Sequence, residues 1–326
     1  MNGTPIAEVR NLCKDYRVSG ENSLTAKTFS AVKDVSFSVY PGETFGIVGE
    51  SGCGKSTVAR LLMCLEKPTS GEVYFQGRRT DNLPEARRRK IRPRFQMVFQ
   101  DSGSSLNPRK RVEDILREPM EYHMTGDKKW MDDRVEELLS LVGLPAEMKN
   151  RYPHEFSGGQ RQRICIAKAL SLNPDLVVLD EPVSALDVSV QAQILNLLRD
   201  LQEKLKLTYI FIGHGLGAVH YISTRIAVMY MGRTVETGAS DELFDHPAHP
   251  YTKALLDAAP SADYALRGRS RVSLQGEMDD HSLEGACPLY PRCPYRTEDC
   301  LRFSGKMSGV PGREDHLSVC LRAWEG

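Results

Sequence analysis

The sequence has no excess of charge of either sign. Lys and Arg together number 43, as do Asp and Glu, so the formal net charge at pH 7 is zero. No global field draws such a chain to nucleic acid or to anionic lipid, and any recognition of phosphate must therefore be local. The first ten residues also lack the basic stretch and apolar run of a secretory signal. We therefore expect a protein that stays in the cytosol and binds no nucleic acid.

Long apolar runs are also missing. The longest stretch without Asp, Glu, Lys or Arg covers residues 207–224, and it contains His214, His220 and three glycines. Such a stretch fits a buried strand followed by a turn better than a bilayer helix. The chain has 326 residues, of which 40% are hydrophobic, so there is enough material for a packed core.

Apolar residues recur in patterns typical of alternating strands and helices. Strands are predicted at 35–39, 44–48, 176–179 and 208–212. Apolar spacing predicts a helix over 188–205, and the order strand, helix, strand indicates an α/β fold. The polar, turn-rich stretch 15–30 predicts a loop between two early strands. Residues 112–172 contain no strand-like run, which predicts a helical subdomain inserted into the α/β core.

One glycine-rich segment matches the pattern of a phosphate-binding loop. It reads Gly49-Glu50-Ser51-Gly52-Cys53-Gly54-Lys55-Ser56 and lies between a predicted strand and a helix predicted over 55–62. The N–H groups of such a loop, with the helix N-terminus, stabilise the charge of phosphates. Lys55 would reach the β- and γ-phosphates, Ser56 would offer its hydroxyl to Mg²⁺, and Thr57 belongs to the same nucleotide-binding segment. The alternative interpretation is a glycine-rich turn that only caps a helix.

Two acids follow the strand predicted at 176–179. Ligands of α/β sheets bind at the carboxyl ends of the strands. Asp180 is therefore a candidate for the Mg²⁺ shell, and Glu181 is a candidate general base for an attacking water. The alternative is a structural role, because Asp and Glu also cap the helix that follows a strand.

The segment Phe156-Ser157-Gly158-Gly159-Gln160 resembles LSGGQ, the signature sequence of the ABC transporter ATPases, with Phe in place of Leu at its first position. A Ser and two glycines that open a helix present exposed N–H groups to an anion. In this family that surface meets the γ-phosphate bound by a partner cassette, so the resemblance implies an ATPase that binds ATP and Mg²⁺ between two subunits. The implied fold is a P-loop ABC-type ATPase with an N-terminal antiparallel β part and an inserted helical subdomain that carries the signature.

Other motifs of the same family follow in order. The resemblance implies that Gln100 contacts Mg²⁺ and the membrane partner, that Asp187 lies at the dimer interface, and that His214 hydrogen-bonds the γ-phosphate. For His214 the alternative is a core histidine with satisfied hydrogen bonds. The family usually has Asp after this histidine, and Gly215 in its place puts the rigidity of the switch in question. Tyr16 is expected to stack on adenine, the alternative being a simple strand aromatic.

Two later segments narrow the resemblance. The sequences HPYTKALL at 249–256 and CPLYPRCP at 287–294 are similar to those of oligopeptide/dipeptide importer ATPases, including nickel-uptake relatives. This implies ATP-driven uptake of di- and oligopeptides, or of related solutes such as nickel chelates, by a peripheral subunit at the cytoplasmic face of the inner membrane. The implied partners are a second ATPase subunit, different or identical, two membrane permeases and an extracytoplasmic solute-binding protein.

We place a domain boundary near residue 250. Residues 1–250 are predicted to form the ABC nucleotide-binding domain, and 251–326 a small irregular C-terminal extension. The extension has few apolar residues, so we expect that hydrophobic burial alone does not fold it. It carries four of the eight cysteines, Cys287, Cys293, Cys300 and Cys320. Because disulfides are rare in the cytosol, this cluster first indicates a metal site.

Four thiolates suit either Zn²⁺ or an iron–sulfur cluster. Zinc ligands usually pair at a spacing of about two to four residues, and no such pair occurs among these cysteines. The resemblance to the peptide-importer ATPases implies a [4Fe–4S] cluster, with Zn²⁺ and unliganded reduced cysteines as alternatives.

Two other classes of function compete with transport. A soluble ABC ATPase of translation or DNA repair usually carries two cassettes in one chain or a long coiled-coil insertion, and this sequence has neither. A non-catalytic nucleotide-binding module would not need Lys55, Gln100, Asp180, Glu181 and His214 together.

Overall fold

The computed structural model describes residues 3–18, 27–100, 102–123, 127–258, 274 and 285–321. The strands are β1 (Ala7–Val18), β2 (Lys27–Val39), β3 (Thr44–Val48), β4 (Ser70–Phe75), β5 (Arg78–Arg79), β6 (Phe95–Val98), β7 (Leu176–Asp180), β8 (Thr208–Gly213), β9 (Arg225–Tyr230), β10 (Arg233–Ala239), β11 (Ser308–Gly309) and β12 (Leu317–Ser318). The α-helices are α1 (Lys55–Leu62), α2 (Glu85–Ile91), α3 (Ser102–Ser105), α4 (Val112–His123), α5 (Lys128–Leu141), α6 (Gly158–Leu170), α7 (Val188–Leu205), α8 (Leu216–Ile222), α9 (Ser240–Asp245) and α10 (Pro250–Ala258). Short 3-10 helices cover Arg92–Arg94, Ala146–Asn150, Pro153–Glu155 and Glu298–Leu301.

Two sheets organise the molecule. An antiparallel sheet of order β2-β1-β4-β5 lies at the N-terminal side, and an eight-stranded sheet has the order β11-β12-β10-β9-β3-β8-β7-β6. In the larger sheet, β9, β3, β8, β7 and β6 are parallel, whereas β10, β12 and β11 continue the sheet in antiparallel pairing. This combination confirms the predicted α/β fold with an N-terminal antiparallel part.

The central parallel strands are apolar because both of their faces are covered. Every residue of β3 and of β7 is buried. Successive side chains of a strand point to opposite faces, so Leu176 and Val178 join the core on the side of α1 and the antiparallel sheet. Val177 and Leu179 join the core that α4 to α8 build on the other side. The continuous apolar run that predicted this strand is therefore the result of two cores that meet in one sheet.

The predicted loop at 15–30 is shorter in the structure than expected. β1 continues to Val18, and β2 begins at Lys27. Polar residues of the predicted loop instead form pairs across these two strands. Asp15 lies opposite Ser30, and the Ser30 hydroxyl donates to the Asp15 carboxylate at 2.5 Å. Strand β6 covers Phe95–Val98, so Gln100 lies just beyond the strand.

The described part of the segment between β6 and β7 contains helices α3 to α6 and two short 3-10 helices joined by turns, and no strand. Helices α4, α5 and α6 pack together through buried residues such as Ile115, Leu138 and Ile164. The division into residues 1–250 and 251–326 stays a prediction. Across the ranges that the structure covers, no helix has the length and apolarity needed to span a bilayer.

The C-terminal extension lies against the larger sheet. Its strand β12 pairs with β10, with Ser318 opposite Glu236, and Leu289, Val310 and Val319 are buried. The extension therefore uses the cassette as part of its own core, which explains how a segment with few apolar residues folds at this place.

Candidate functional site

The phosphate loop connects β3 to α1. Its last glycine, Gly54, has a φ of 104°, and a Cβ at this position would lie 2.3 Å from the carbonyl oxygen of Ala31. Only glycine fits there without strain. Lys55 is buried, and its Nζ donates to the carbonyl oxygens of Gly49 at 2.8 Å and Glu50 at 2.9 Å. The ammonium group is thus held inside the loop.

Ser56 and Asp180, two of the three residues predicted to contact Mg²⁺, meet at the start of α1 although they are 124 positions apart in the sequence. The Ser56 hydroxyl donates to Oδ1 of Asp180 at 3.0 Å. Asp180 ends β7 and is buried, and this burial raises the pKa of its carboxyl group. A hydroxyl and a carboxylate oxygen are hard ligands of the kind that Mg²⁺ prefers.

Glu181 lies at the centre of the predicted catalytic residues. Its backbone has a φ of 47°, and its N–H donates to the Ile212 carbonyl of β8 at 2.9 Å. The Gln100 side-chain amide donates to Glu181 Oε2 at 2.9 Å, and His214 Nδ1 lies 3.5 Å from the same oxygen. The structure therefore brings together Gln100, Glu181 and His214, each from the end of a different strand.

The signature segment begins α6. Ser157 caps this helix by accepting a hydrogen bond from the Gln160 N–H, and the Gln160 side chain accepts from the Ser157 N–H. Phe156, which replaces the usual Leu, is buried in the core. Gly158 faces Leu186, just before α7, and Gly159 faces Val190 in the first turn of α7.

Asp187 caps the neighbouring helix. Its carboxylate accepts hydrogen bonds from the Ser189 hydroxyl and the Val190 N–H, and these lower the pKa of the group. Gly215, at the same position before α8, provides no side-chain cap.

Tyr16 is close to the phosphate loop. It lies two residues before the end of β1. Its hydroxyl donates to Glu66 at 2.5 Å, and it also interacts with the Thr57 side chain of α1. Lys14 Nζ lies 5.0 Å from the centre of its ring. This position is compatible with the predicted contact to a base, which stays a prediction.

Two residues of the C-terminal extension contact the phosphate loop, and motif matching missed both. Glu50 donates its backbone N–H to the Tyr251 hydroxyl at 2.8 Å. Its carboxylate accepts from Arg292 at 3.3 Å. Tyr251 and Arg292 lie in the two segments on which the narrower resemblance rests. Their place in these segments is the signal in the sequence that could have pointed to them.

The four cysteines of the extension surround one cavity of about 230 Å³, which is lined also by Leu289, Tyr290 and Phe303. Burial raises the pKa of the Cys287 thiol to about 12, and it also raises the pKa of Cys293. Among the residues with described positions, no three His, Cys, Asp or Glu side chains are arranged to hold a metal ion. The cysteines thus share a cavity without forming a ready-made coordination site.

A phosphate loop on a parallel sheet, a carboxylate pair at the next strand end, and a helical insertion that begins with the signature segment define a P-loop ATPase of the ABC class. The family model for the ABC transporter matches residues 32–184, and the model for the oligopeptide/dipeptide transporter C-terminal region matches residues 235–300. The chain belongs to the ABC transporter ATP-binding proteins of the oligopeptide/dipeptide transporter family, and it is an ABC-type ATPase.

Named relatives align along nearly the whole chain. The chain is 48% identical to the oligopeptide transport ATP-binding protein AppF of Bacillus subtilis, with 92% of each chain covered. It is 46% identical to the dipeptide transport ATP-binding protein DppF of Haemophilus influenzae, with 91% of each covered.

A solved structure shares the cassette fold. The ATP-binding cassette MJ0796, in a dimeric post-hydrolysis state bound to ADP and Pi, superposes with a TM-score of 0.64 at 30% identity, covering 72% of this chain and 98% of that one. The predicted family and fold are therefore confirmed.

Proposed function

We propose that this chain hydrolyses ATP to power the uptake of di- and oligopeptides, or of related small solutes such as nickel chelates, through separate permease subunits. The observation that carries the proposal is the match of both the cassette and the C-terminal region to one transporter family. Relatives that cover about nine-tenths of the chain are named for oligopeptide and dipeptide transport. The same alignment gives no support to a soluble ABC ATPase of translation or DNA repair.

Nucleotide binding is assigned to residues 49–57. The N–H groups of this loop and the N-terminus of α1 stabilise the phosphates, and Lys55 adds a buried positive charge. Ser56, Asp180 and Gln100 would hold Mg²⁺, which neutralises charge on the β- and γ-phosphates when it is bound. Tyr16 would stack on the adenine.

Hydrolysis is assigned to Glu181 and its two neighbours. Glu181 accepts the proton of the attacking water, which requires a free carboxylate oxygen at the γ-phosphate side. Gln100 and His214 both lie close to Oε2, so they orient the carboxylate, and Oε1 would accept the proton of the water. His214 lies at the surface of the cassette, where it would reach the γ-phosphate.

Each complete site needs a second cassette. The signature N–H groups at Ser157 to Gln160 lie at a helix start that is exposed at Ser157 and half-buried at the next three residues. The hydrogen bonds described for their side chains stay within the motif. We assign this surface and Asp187 to the partner's nucleotide, as the dimeric state of the cassette MJ0796 supports. The partner is a second ATPase subunit, different from this chain or identical to it.

A groove beside β6 is the proposed contact with the permease. It has a volume of about 430 Å³ and is lined mainly by apolar groups. Leu65, Phe99 and Tyr122 are each about half exposed there. Phe99 directly precedes Gln100, which donates to Glu181. A permease segment bound in this groove would therefore shift Gln100 and, through it, Glu181. Through this contact the chain would be a peripheral subunit at the cytoplasmic face of the membrane, working with two permeases and an extracytoplasmic solute-binding protein.

For the extension we propose a [4Fe–4S] cluster held by Cys287, Cys293, Cys300 and Cys320. The support is the donor set, since all four thiols border one cavity, and thiolates are the ligands of such clusters. Ligation would contribute folding free energy to the extension. The alternatives are a Zn²⁺ ion bound by these cysteines, or reduced cysteines that bind no metal.

The transport function is tested in cells. In a strain that lacks this gene and needs one amino acid supplied as a dipeptide or tripeptide, the wild-type gene should restore growth and Lys55→Ala should not. Lys204→Ala, which changes an exposed lysine of α7, is the matched control and should restore growth. Restoration of growth by Lys55→Ala would contradict the proposal. Purification of the wild-type chain without any bound polytopic membrane protein would also contradict it.

The cluster is tested on anaerobically purified protein. Iron and sulfide in equal amounts, with broad visible absorbance that Cys293→Ser removes, would support it. Cys13→Ser, which changes a cysteine outside the extension, should leave the absorbance unchanged. Colourless protein with stoichiometric zinc and no iron would contradict the cluster.

A further inference from the structure

In the described part of the C-terminal extension, the hydrogen bonds that join Tyr251 and Arg292 to the phosphate loop converge on Glu50. Three groups of Glu50 are engaged at once. Its N–H donates to the Tyr251 hydroxyl, its carbonyl accepts from Lys55 Nζ, and its carboxylate accepts from Arg292. The loop is therefore connected to residues more than 200 positions later in the sequence.

Arg292 is well placed to act on this loop. Its side chain is only 13% exposed, against 31% for Glu50. Besides Glu50, it donates to the Tyr230 hydroxyl at 3.3 Å, and its guanidinium carbon lies 5.9 Å from the centre of the Tyr230 ring. Tyr230 in turn packs on Tyr251, with ring centres 4.6 Å apart. The guanidinium is thus held by the buried Tyr230, which itself packs on Tyr251, and it is directed at one carboxylate.

The charge of Glu50 gives this contact a consequence for nucleotide binding. A carboxylate in a phosphate-binding loop repels a triphosphate, and the repulsion is larger where burial lowers the local dielectric. Arg292 is permanently charged and neutralises this carboxylate at 3.3 Å. Without Arg292, the loop would present an unpaired negative charge beside its own anion site.

We propose that Arg292 is a positioning residue for ATP binding, which acts by holding and neutralising Glu50, so that the C-terminal extension sets the affinity of the phosphate loop. The inference rests on the assignment of residues 49–57 as the nucleotide site. Arg292 touches neither the nucleotide nor the reacting atoms in this proposal. Its effect is carried entirely by Glu50.

The position of Arg292 in the chain adds a further consequence. It lies one residue before Cys293, and its N–H donates to Leu289 in the turn that begins at Cys287. Any rearrangement of this turn therefore moves the guanidinium relative to Glu50.

The test compares full-length variants with wild type by calorimetric titration with Mg-ATP and by steady-state ATP hydrolysis. Arg292→Gln should weaken ATP binding about three- to tenfold, as expected for an unpaired charge close to a polyanion. The rate at saturating ATP should change less than twofold, because the catalytic residues are untouched. Arg292→Lys should bind ATP within about twofold of wild type, since it keeps the charge. Arg302→Gln, at an exposed arginine of the same extension, is the matched control and should bind like wild type.

The double variant Glu50→Gln/Arg292→Gln decides whether the effect passes through Glu50. Glu50→Gln alone removes the carboxylate charge and sets the reference affinity. On that background Arg292→Gln should weaken ATP binding less than about twofold, so that the two changes are not additive. Glu50→Gln cannot repair an unfolded extension, so recovered affinity in the double variant excludes general destabilisation. Equal losses on both backgrounds, or an Arg292→Gln variant that behaves like Arg302→Gln, would overturn the inference. Lys55→Ala tests the nucleotide site independently of Arg292. If Lys55→Ala leaves ATP binding unchanged, the assignment of the nucleotide site is wrong, whatever the Arg292 variants show.

Discussion

Glu181 has the environment that a general base requires. Its side chain is 12% exposed, and one of its oxygens is occupied by Gln100 and His214. The left-handed backbone at φ 47° is held by the bond from its N–H to Ile212. These contacts fix the carboxylate in one direction, which is what a positioned base contributes to catalysis.

Replacing Glu181 with Gln should stop turnover without affecting ATP binding. The amide keeps the shape of the carboxylate but cannot accept the proton of water, and loss of a general base typically costs about 10² to 10⁴ in rate. Single-turnover hydrolysis and ATP titration measure the two effects separately. Glu203→Gln, at an exposed residue of α7, should leave both unchanged. A single-turnover rate within about tenfold of wild type would contradict the assignment of Glu181 as the general base.

The residues of the catalytic group could be predicted from the sequence because each is part of a local motif. Lys55, Asp180 and His214 follow strands, and parallel strands bring their carboxyl ends to one edge. Arg292 and Tyr251 could not be assigned in this way. Their contacts with Glu50 depend on how the extension packs against the loop, and no local pattern encodes a contact across such a separation.

At the scale of elements, α6 and α7 approach each other at the two signature glycines. A Cβ on Gly159 would lie 2.5 Å from Val190 Cγ1, whereas one on Gly158 would lie 3.4 Å from Leu186 Cδ2. The first distance is a clash with a β-branched side chain, and the second is an ordinary contact. The two glycines therefore differ in their structural roles although they are neighbours in the motif.

Gly159→Ala should destabilise the protein by about 1–3 kcal/mol, the usual cost of forcing extra volume into a packed contact. Gly158→Ala should be neutral or slightly stabilising, because Ala favours the helix over Gly. Urea unfolding followed by circular dichroism measures both changes, and Gly158→Ala is the matched control. Equal stability of the two variants would show that the Val190 side chain or α7 moves aside without measurable cost.

A buried histidine, His249, directly precedes α10. His249 accepts a hydrogen bond from the Tyr251 N–H through Nδ1, and its own N–H donates to Glu236. Burial lowers the pKa of His249 to about 4, below the value of about 6.5 for an unfolded chain. Between these two values the unfolded chain binds the proton more readily, so stability falls as the pH drops below about 6.5.

Lowering the pH from 7 to 5 should therefore reduce the free energy of unfolding by about 2 kcal/mol through His249, at about 1.4 kcal/mol per pKa unit. His249→Asn keeps an acceptor for the Tyr251 N–H and has no proton to bind. It should lose less stability than wild type over this interval in urea titrations at the two pH values. Glu236 and His316, which are 2.7 Å apart and buried beside it, are present in both proteins and cancel in the comparison. An identical pH dependence would contradict the buried neutral histidine.

Element boundaries were predictable where apolar runs ended sharply. The helix over Val188–Leu205 and the strand over Thr44–Val48 have the predicted bounds. The early strands are longer than predicted, because exposed antiparallel strands carry polar residues that resemble a loop. β12 was not predicted at all, since two residues that complete a sheet edge give no periodic signal.

At the scale of the whole molecule, the cassette presents two separate halves of a site. The phosphate loop with Glu181 lies at the edge of the parallel sheet, and the signature begins α6 in the helical segment. If both halves served one nucleotide within a chain, a defect in either would be confined to that chain. If they serve two chains, defects in different halves can complement each other.

Mixing two inactive variants distinguishes these arrangements. Lys55→Ala removes the phosphate contact, and Ser157→Arg blocks the signature, so each protein alone should be nearly inactive. In a mixed dimer, the intact loop of the Ser157→Arg chain faces the intact signature of the Lys55→Ala chain, and one complete site is restored. With equal amounts, half of the dimers are mixed and each has one of two sites, so we expect about a quarter of the wild-type ATPase rate. The control mixture pairs Lys55→Ala with the double variant Lys55→Ala/Ser157→Arg, in which no complete site can form. Because dimers form by mass action, the recovered rate should also fall on dilution. A mixture no more active than the sum of its components would show that the two halves do not act across a pair of these chains.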